Sequence, residues 1–231
     1  MTPPPSPSGD APAPLSRSVE DYLKAIHRLS EEGNPATTTQ IAEALAVAPP
    51  SVTGMVKRLS EQGLLTYEPY RGVTLTDLGR REARRVIRRH RLIETYLVAH
   101  LGYRWDDVHD EAERLEHAAS DALVERMASA LGHPETDPHG DPIPDAEGTV
   151  PAVALTPLAQ VPVGTEADVR RVATHDVQRL RFLAETGLVP GARVLVRGRD
   201  PFDGVVTVEL EGRAHVVGPE LGRLVECELV G

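Results

Sequence analysis

The sequence predicts a mainly α-helical N-terminal two-thirds, a winged helix-turn-helix followed by a helical domain, with a small all-β SH3-like barrel at the C-terminus. Three observations carry that prediction. Apolar residues recur at the helical period through the first part of the chain, up to about residue 131. A stretch dense in Pro, Gly and acid, GHPETDPHGDPIPDAEGTVP, interrupts the pattern at 132–151. Beyond it, short valine-rich runs are punctuated by glycines, as in strands and turns. The expected division is a disordered tail over 1–16, a winged helix-turn-helix over 17–76, a helical domain over 77–131, a linker or ordered loop over 132–151 and the SH3-like domain over 152–231.

Residues 1–16 (MTPPPSPSGDAPAPLS) have little to bury against the entropy of ordering. Ser18 is the expected cap of the first helix, with Asp21 three residues on. Tyr22, Ile26 and Leu29 form its apolar face, and it is expected to stop near Glu32-Gly33-Asn34. Thr38 or Thr39 caps a short second helix bearing Ile41 and Leu45. Proline suits a first helical turn, so a third helix spans about 50–62, with Val52, Met55, Val56 and Leu59 inward. The runs Leu64-Leu65-Thr66-Tyr67 and Val73-Thr74-Leu75, around Pro69-Tyr70-Arg71-Gly72, read as a hairpin. Helix-turn-helix followed by a hairpin is a winged helix. Its third helix would enter the major groove of double-stranded DNA. Pro50, Ser51, Thr53, Lys57 and Arg58 on that helix, and Arg71 at the wing tip, are the candidate DNA contacts. Pro50 suits a thymine methyl; Lys57, Arg58 and Arg71 suit phosphates.

A long helix follows over 76–101, with Leu78, Val86, Leu92, Ile93 and Tyr96 apolar and its arginines expected to face mostly outward. Such a helix suits a homodimer interface, and dimers match palindromic sites. Further helices are expected at about 105–118 and, capped by Ser120-Asp121, up to Leu131. Strands are expected at 168–172, 193–197, 205–210, 214–217 and 225–229, with one helix at about 176–185. Cys227, in the last strand, reads as core filler.

Over 231 residues the formal net charge is −10, which alone argues against nucleic acid. The distribution argues otherwise: eight arginines between 71 and 91 face only Asp77 and Glu82 there, and the local field is what a polyanion meets. A single cysteine excludes an intrachain disulfide and permits a reducing compartment. No apolar run approaches membrane-spanning length and no basic-then-apolar leader is present, so a cytoplasmic protein without a membrane partner is expected.

His109, Glu113, Glu116 and His117 are spaced by four, three and one, which on a helix gathers all four on one face. Two imidazoles and two carboxylates converging there call for a cation between them. His90 and Glu94 repeat the i,i+4 geometry on the preceding helix. Neither cluster contains sulfur. Carboxylate with imidazole suits Mn2+, and also Fe2+, better than soft Cu(I), and zinc would bind as well.

The motifs Val108-His-Asp-Glu-Ala-x-x-x-Glu-His117 and Arg89-His-Arg-Leu-x-Glu94, together with His139-Gly-Asp-Pro-Ile-Pro144, resemble the diphtheria toxin repressor family of iron- and manganese-dependent transcriptional regulators over about residues 16–231. The resemblance implies a primary metal site on Asp21, Glu113, Glu116 and His117. It implies an ancillary site on His90, Glu94 and His109, with Asp176 from the SH3-like domain, where Arg179 replaces a second expected ligand. Iron-responding members carry Met and Cys where this chain has Asp21 and Glu113; the two carboxylates resemble manganese-responding members. Lys24 stands where small two-domain manganese regulators have a glutamate ligand, and Gly54 stands where a long polar side chain is common. The function implied is a homodimeric, Mn2+-activated DNA-binding repressor of metal-homeostasis genes. Iron as the effector, a carboxylate/histidine metalloenzyme and a metal-independent winged-helix regulator are the alternatives. No H-E-x-x-H or paired Glu-x-x-His motif supports an enzyme.

Overall fold

The computed structural model describes residues 15–30, 34–151, 153–202 and 204–230. The tail expected over 1–16 lies outside the described residues except for Leu15 and Ser16. The chain forms two compact units, Met1–Ala83 and Arg84–Gly231. Among the described residues no helix is long and apolar enough to cross a membrane.

The N-terminal unit contains α1 (Arg17–Leu29), α2 (Thr38–Ala44), α3 (Pro49–Glu61), β1 (Leu65–Glu68), β2 (Gly72–Leu75) and the start of α4 (Asp77–Leu101). Leu23, Ile26, Ile41, Val52, Val56, Leu59 and Val73 are completely buried in one core. Each such side chain contributes roughly 1.5–3 kcal/mol. α1 begins two residues before the expected cap. Ser16 is extended and its carbonyl accepts from Val19 N and Glu20 N, so Ser18 lies inside the helix. α1 also ends at Leu29, before the expected stop, whose residues 32 and 33 lie outside the described set. Thr37, rather than Thr38 or Thr39, caps α2. Only Thr37 has a glutamine three residues on, and Gln40 closes the reciprocal box: Thr37 Oγ1 accepts from Gln40 N (3.2 Å) and Gln40 Oε1 from Thr37 N (2.9 Å).

β1 and β2 pair antiparallel from Leu65↔Leu75 to Glu68↔Gly72. Ala36 adds a bridge to Val73 on the free side of β2. Gly72 has φ +115°, and a Cβ there would lie 2.8 Å from Ala36 O, so the wing can lie against this segment only with glycine. Gly79, in the first turn of α4, serves the same end: its Cβ would lie 1.9 Å from Leu64 O.

The C-terminal unit continues α4 and adds α5 (Val108–Leu115), α6 (Asp121–Ala130), β3 (Thr156–Pro157), β4 (Glu166–Val172), α7 (Val177–Thr186), β5 (Arg193–Arg199), β6 (Val206–Leu210), β7 (Arg213–Val217), α8 (Pro219–Leu224) and β8 (Val225–Leu229). The strands form one antiparallel sheet in the order β3-β8-β4-β5-β6-β7. Its inner face, with Leu180 and Leu183 of α7, buries Val169, Val172, Val194, Val196, Val206, Val208 and Cys227. The SH3-like reading holds, with β3 and α8 as additions that were not expected. Cys227 fills the core as expected, and burial pushes its thiol up to about 12.

Three expectations about α4 and α5 fail. Leu78 is 42% exposed, and the arginines of α4 do not mostly face solvent. Arg84, Arg88 and Arg91 donate to the carbonyls of Gly148, Pro144 and Pro142, and Arg89 donates to Glu116 O. Arg85 and Arg88 also pair with Asp121 and Glu125 of α6. The connector over 132–151 has neither helix nor strand, and these arginines satisfy its carbonyls. α5 is shorter than 105–118: it ends at Leu115, with Glu116 as its C-cap.

The Gly79 contact gives a test of the head's packing. Gly79→Ala is expected to cost about 1–3 kcal/mol through overpacking against Leu64. A thermal melt of the variant superimposing on the wild type would contradict this.

Candidate metal centre and nucleic-acid interface

In the C-terminal unit, α4 presents His90, Glu94 and Arg91 to the connector and to α5. His90 is buried between two carboxylates: Nδ1 lies 2.5 Å from Glu116 Oε2 and Nε2 lies 2.9 Å from Glu94 Oε1. Ionised carboxylate oxygens only accept, so both ring nitrogens carry protons and the ring is an imidazolium. Burial alone would lower its pKa. The hydrogen bonds and charges of Glu116 and Glu94 outweigh that and raise it from 6.5 to about 9. Burial would in turn raise Glu94, but the hydrogen bonds from His109 (3.0 Å) and His90, and the charge of His90, hold it well below the usual carboxylate range.

The structure divides the expected cluster. With α5 ending at Leu115, Glu116 and His117 lie in the turn beyond it, so the four residues do not share one helical face. Glu113 Oε1 is 3.6 Å from His109 Nε2, and His90, His109 and Glu113 each offer a ligand atom within 4.8 Å of the others. Glu116 Oε1 is 3.3 Å from His117 Nε2 while Oε2 accepts the hydrogen bond from His90 Nδ1, so Glu116 joins the two groups. Arg89 holds the Glu116 carbonyl at 2.9 Å, fixing the end of α5 to α4. Asp21 belongs to α1 of the N-terminal unit, with Arg17 Nε 4.0 Å from its Oδ2.

A second group was not expected in this composition. Glu94, His139 and His175 each offer a ligand atom within 4.8 Å of the others. His139 comes from the connector. Its Nε2 lies 2.7 Å from Trp105 O, and a carbonyl can only accept, so Nε2 carries the proton. In the neutral ring Nδ1 then bears a lone pair. That atom faces Glu94 Oε2 at 3.9 Å, and both are buried without a hydrogen-bond partner. A lone pair and a carboxylate oxygen facing each other in a buried space suit a cation between them, and the Nε2–H contact fixes the tautomer that binds one. The donors therefore fit a divalent metal on geometry alone. His175, just before α7, stacks on His109 with ring centroids 4.2 Å apart.

Asp176 is placed otherwise than as a member of either group: its Oδ1 accepts from Arg179 N at 2.9 Å and caps α7. Arg179 pairs with Glu220. Sequence reasoning missed His139 and His175. The available signal was a histidine between two aspartates in Asp137-Pro-His-Gly-Asp141. Asp137 and Asp141 are buried beside Arg91, and burial together with the charge of Asp141 raises Asp137 well above its ordinary range. The loop holding His139 also hydrogen-bonds to β4 through Val172 N and His139 O (2.8 Å). Gly140 permits this approach, with φ +85° and no room for a Cβ against Arg170 O.

In the N-terminal unit, Pro50, Ser51, Lys57 and Arg58 are exposed on α3. Thr53 is half-buried and its hydroxyl donates back to Pro49 O at 3.3 Å. Arg71 is exposed at the wing, paired with Glu68 at 3.0 Å. Tyr70 projects fully into solvent at the tip, with φ +65°.

Comparison with known proteins bears on both parts. The family model described as "Iron dependent repressor, N-terminal DNA binding domain" matches residues 14–73. That described as "Iron dependent repressor, metal binding and dimerisation domain" matches 76–145, and a FeoA domain matches 156–229. The iron-dependent repressor IdeR of Mycobacterium tuberculosis (strain H37Rv) is 35% identical over 229 residues, 94% of this chain and 99% of that protein. A solved manganese-dependent transcriptional repressor in complex with manganese is 40% identical with a TM-score of 0.86, covering 92% of this chain and 100% of its own. ScaR with bound Zn2+ is 34% identical with a TM-score of 0.76, covering 92% of this chain and 99% of its own.

The charged state of His90 sets a pH dependence for the metal-free protein. Its pKa is higher folded than unfolded. The stabilisation is therefore full below about 6.5 and is lost as the pH rises through about 9. Melts in chelator should show His90→Gln less stable than the wild type near the lower pH, with the gap closing at the upper. A gap that stays constant or widens with pH would contradict the imidazolium assignment.

Proposed function

The chain belongs to the iron-dependent repressor family and is a metal-dependent transcriptional repressor rather than an enzyme; we propose that Mn2+ is its activating ion and that it acts as a homodimer on a palindromic operator in the cytoplasm, controlling metal-homeostasis genes. We divide it into a DNA-reading head over 17–76, a helical part over 77–131, a connector over 132–151 and an SH3-like part over 152–231.

The observation that carries the choice of metal is the donor set. Every candidate ligand is a carboxylate or an imidazole, and the one thiol, Cys227, is buried in the β core. Oxygen with nitrogen suits Mn2+ and leaves iron as the second choice. Intrinsic affinity favours zinc over manganese, so selectivity would rest on coordination number and geometry. The manganese complex of the 40%-identical repressor supports the same choice, and the Zn2+ form of ScaR accords with the affinity order.

Asp21, Glu113, Glu116 and His117 would hold the primary ion. Glu94, His139 and His175 would hold a second, beside His90 and His109, with Asp176 fixing His175 through the cap of α7. A divalent cation would supply a shared positive charge to these carboxylates and imidazoles. Asp21 rides on the DNA-reading head and the other primary ligands on the helical part. Sharing one ion, they would select the head orientation that places two α3 helices in successive major grooves, a population shift set by differential affinity. In the resting state His90 holds a proton between Glu94 and Glu116. Pro50, Ser51 and Thr53 would face bases, and Lys57, Arg58 and Arg71 phosphates.

Asp21→Ala is expected to abolish the metal-induced gain in operator affinity without lowering the melting temperature of the metal-free protein. In the same titrations Asp21→Met with Glu113→Cys should move the preference from Mn2+ toward Fe2+. If Asp21→Ala responds to Mn2+ like the wild type, the coupling is wrong; if the double variant keeps its preference, the donor-set reasoning is wrong.

A further inference from the structure

Three glycines lie within helices among the described residues, and two have a visible reason to be glycine. Gly79 has Leu64 O in its Cβ position, and a Cβ at Gly222 would press on Ala159 at 3.3 Å. Gly54 has none. It lies in the middle of α3, its φ is not in the left-handed region, and nothing stands within 4 Å of its Cβ position. Glycine is the least favourable helix residue after proline, so an exposed glycine that packs against nothing weakens the helix it sits in. Within the chain, no contact asks for it.

Its surroundings suggest that the demand comes from outside. Pro50 and Ser51 precede it by four and three residues, and Lys57 and Arg58 follow by three and four, all exposed. Gly54 is thus the centre of the face that α3 turns to solvent, with cations at one end. When the cations hold phosphates, the centre of such a face meets base edges at the groove floor. Pro50 and Gly54 place only C–H surface there, with no side-chain donor or acceptor. The base group complementary to an apolar gap in the major groove is the C5-methyl of thymine.

We propose that Gly54 is a specificity-determining residue: the missing side chain forms a gap in α3 that receives a thymine methyl and lets the helix approach the bases closely. This rests on α3 being the DNA-reading helix. A β-carbon at position 54 occupies the space of the methyl, so removing the methyl from the DNA relieves the variant.

The test uses the full-length protein with Mn2+ on a duplex selected from a random pool by the wild type, and on copies with single deoxyuridine-for-thymidine replacements. The wild type should lose affinity at one thymine per half-site, by about three- to tenfold. Gly54→Ala should melt at a higher temperature than the wild type, which shows it folded. It should bind the thymine duplex about tenfold more weakly and recover affinity when that same thymine becomes uracil. Lys57→Ala, carried alongside, reports on α3 itself. If Lys57→Ala weakens binding while Gly54→Ala binds like the wild type, the gap is refuted and the DNA-reading role of α3 stands. If neither variant changes binding, α3 does not read DNA and the proposal falls with that assignment. Weaker binding by Gly54→Ala without rescue at any uracil also overturns it.

Discussion

Glu94 is a fully buried carboxylate, and the centre of the C-terminal unit is arranged around giving its charge a partner. An isolated buried carboxylate would cost several kcal/mol. One oxygen, Oε1, is answered by hydrogen bonds from His90 and His109. The other, Oε2, faces His139 Nδ1 at 3.9 Å and has no hydrogen-bond partner among the described residues. His90 is itself charged because Glu116 holds its other nitrogen, which connects the buried carboxylate to the turn bearing His117. The cluster is a buried network of carboxylates and imidazoles with the charged His90 at its centre.

The arginines of α4 make this arrangement possible. Through Arg84, Arg88 and Arg91 the helix satisfies carbonyls of a connector whose own pairing is a single bridge, Thr136 to Pro142. Arg91 also faces Asp137 and Asp141 on either side of His139, and Arg171 of β4 joins Asp141 at 2.8 Å. The Pro- and acid-rich segment is thus an ordered arm that delivers a histidine. Asp106, in the turn after α4, adds a tie to the β part through Arg181 of α7 at 2.9 Å, and Trp105 beside it packs against the β core. An ion bound to Glu94, His139 and His175 would join three segments that these contacts already bring together.

Period and punctuation made most of the fold legible. The apolar positions of α1 and α3, the hairpin between Leu64 and Leu75, the cap at Ser120 and the strand runs after residue 165 could be read because each is set by neighbours in sequence. The caps of α1 and α2 were displaced by one or two residues, because Ser, Thr and Asp all bond to nearby backbone and only Thr37 has Gln40 in reach. The His/Glu pattern of α5 was legible in composition but not in extent: a spacing cannot show that a helix stops at Leu115. His139 was marked only by the aspartates on either side of it, and His175 and the inward arginines could not be read, because their partners lie tens of residues away in segments without a period. The resemblance to a metal-regulated repressor family supplied the ligand set that spacing alone left open, and it was confirmed by the family comparisons at the level of family and fold.

The proposed function requires that a divalent cation held by the carboxylates and imidazoles of the primary set permit DNA binding. Its most direct test is fluorescence anisotropy of a labelled operator duplex, with the protein first freed of metal and then titrated anaerobically with Mn2+ and, separately, Fe2+. The account predicts negligible specific binding without metal, tight binding with Mn2+ and a weaker response to Fe2+. Equal affinity for the operator with and without metal would contradict it.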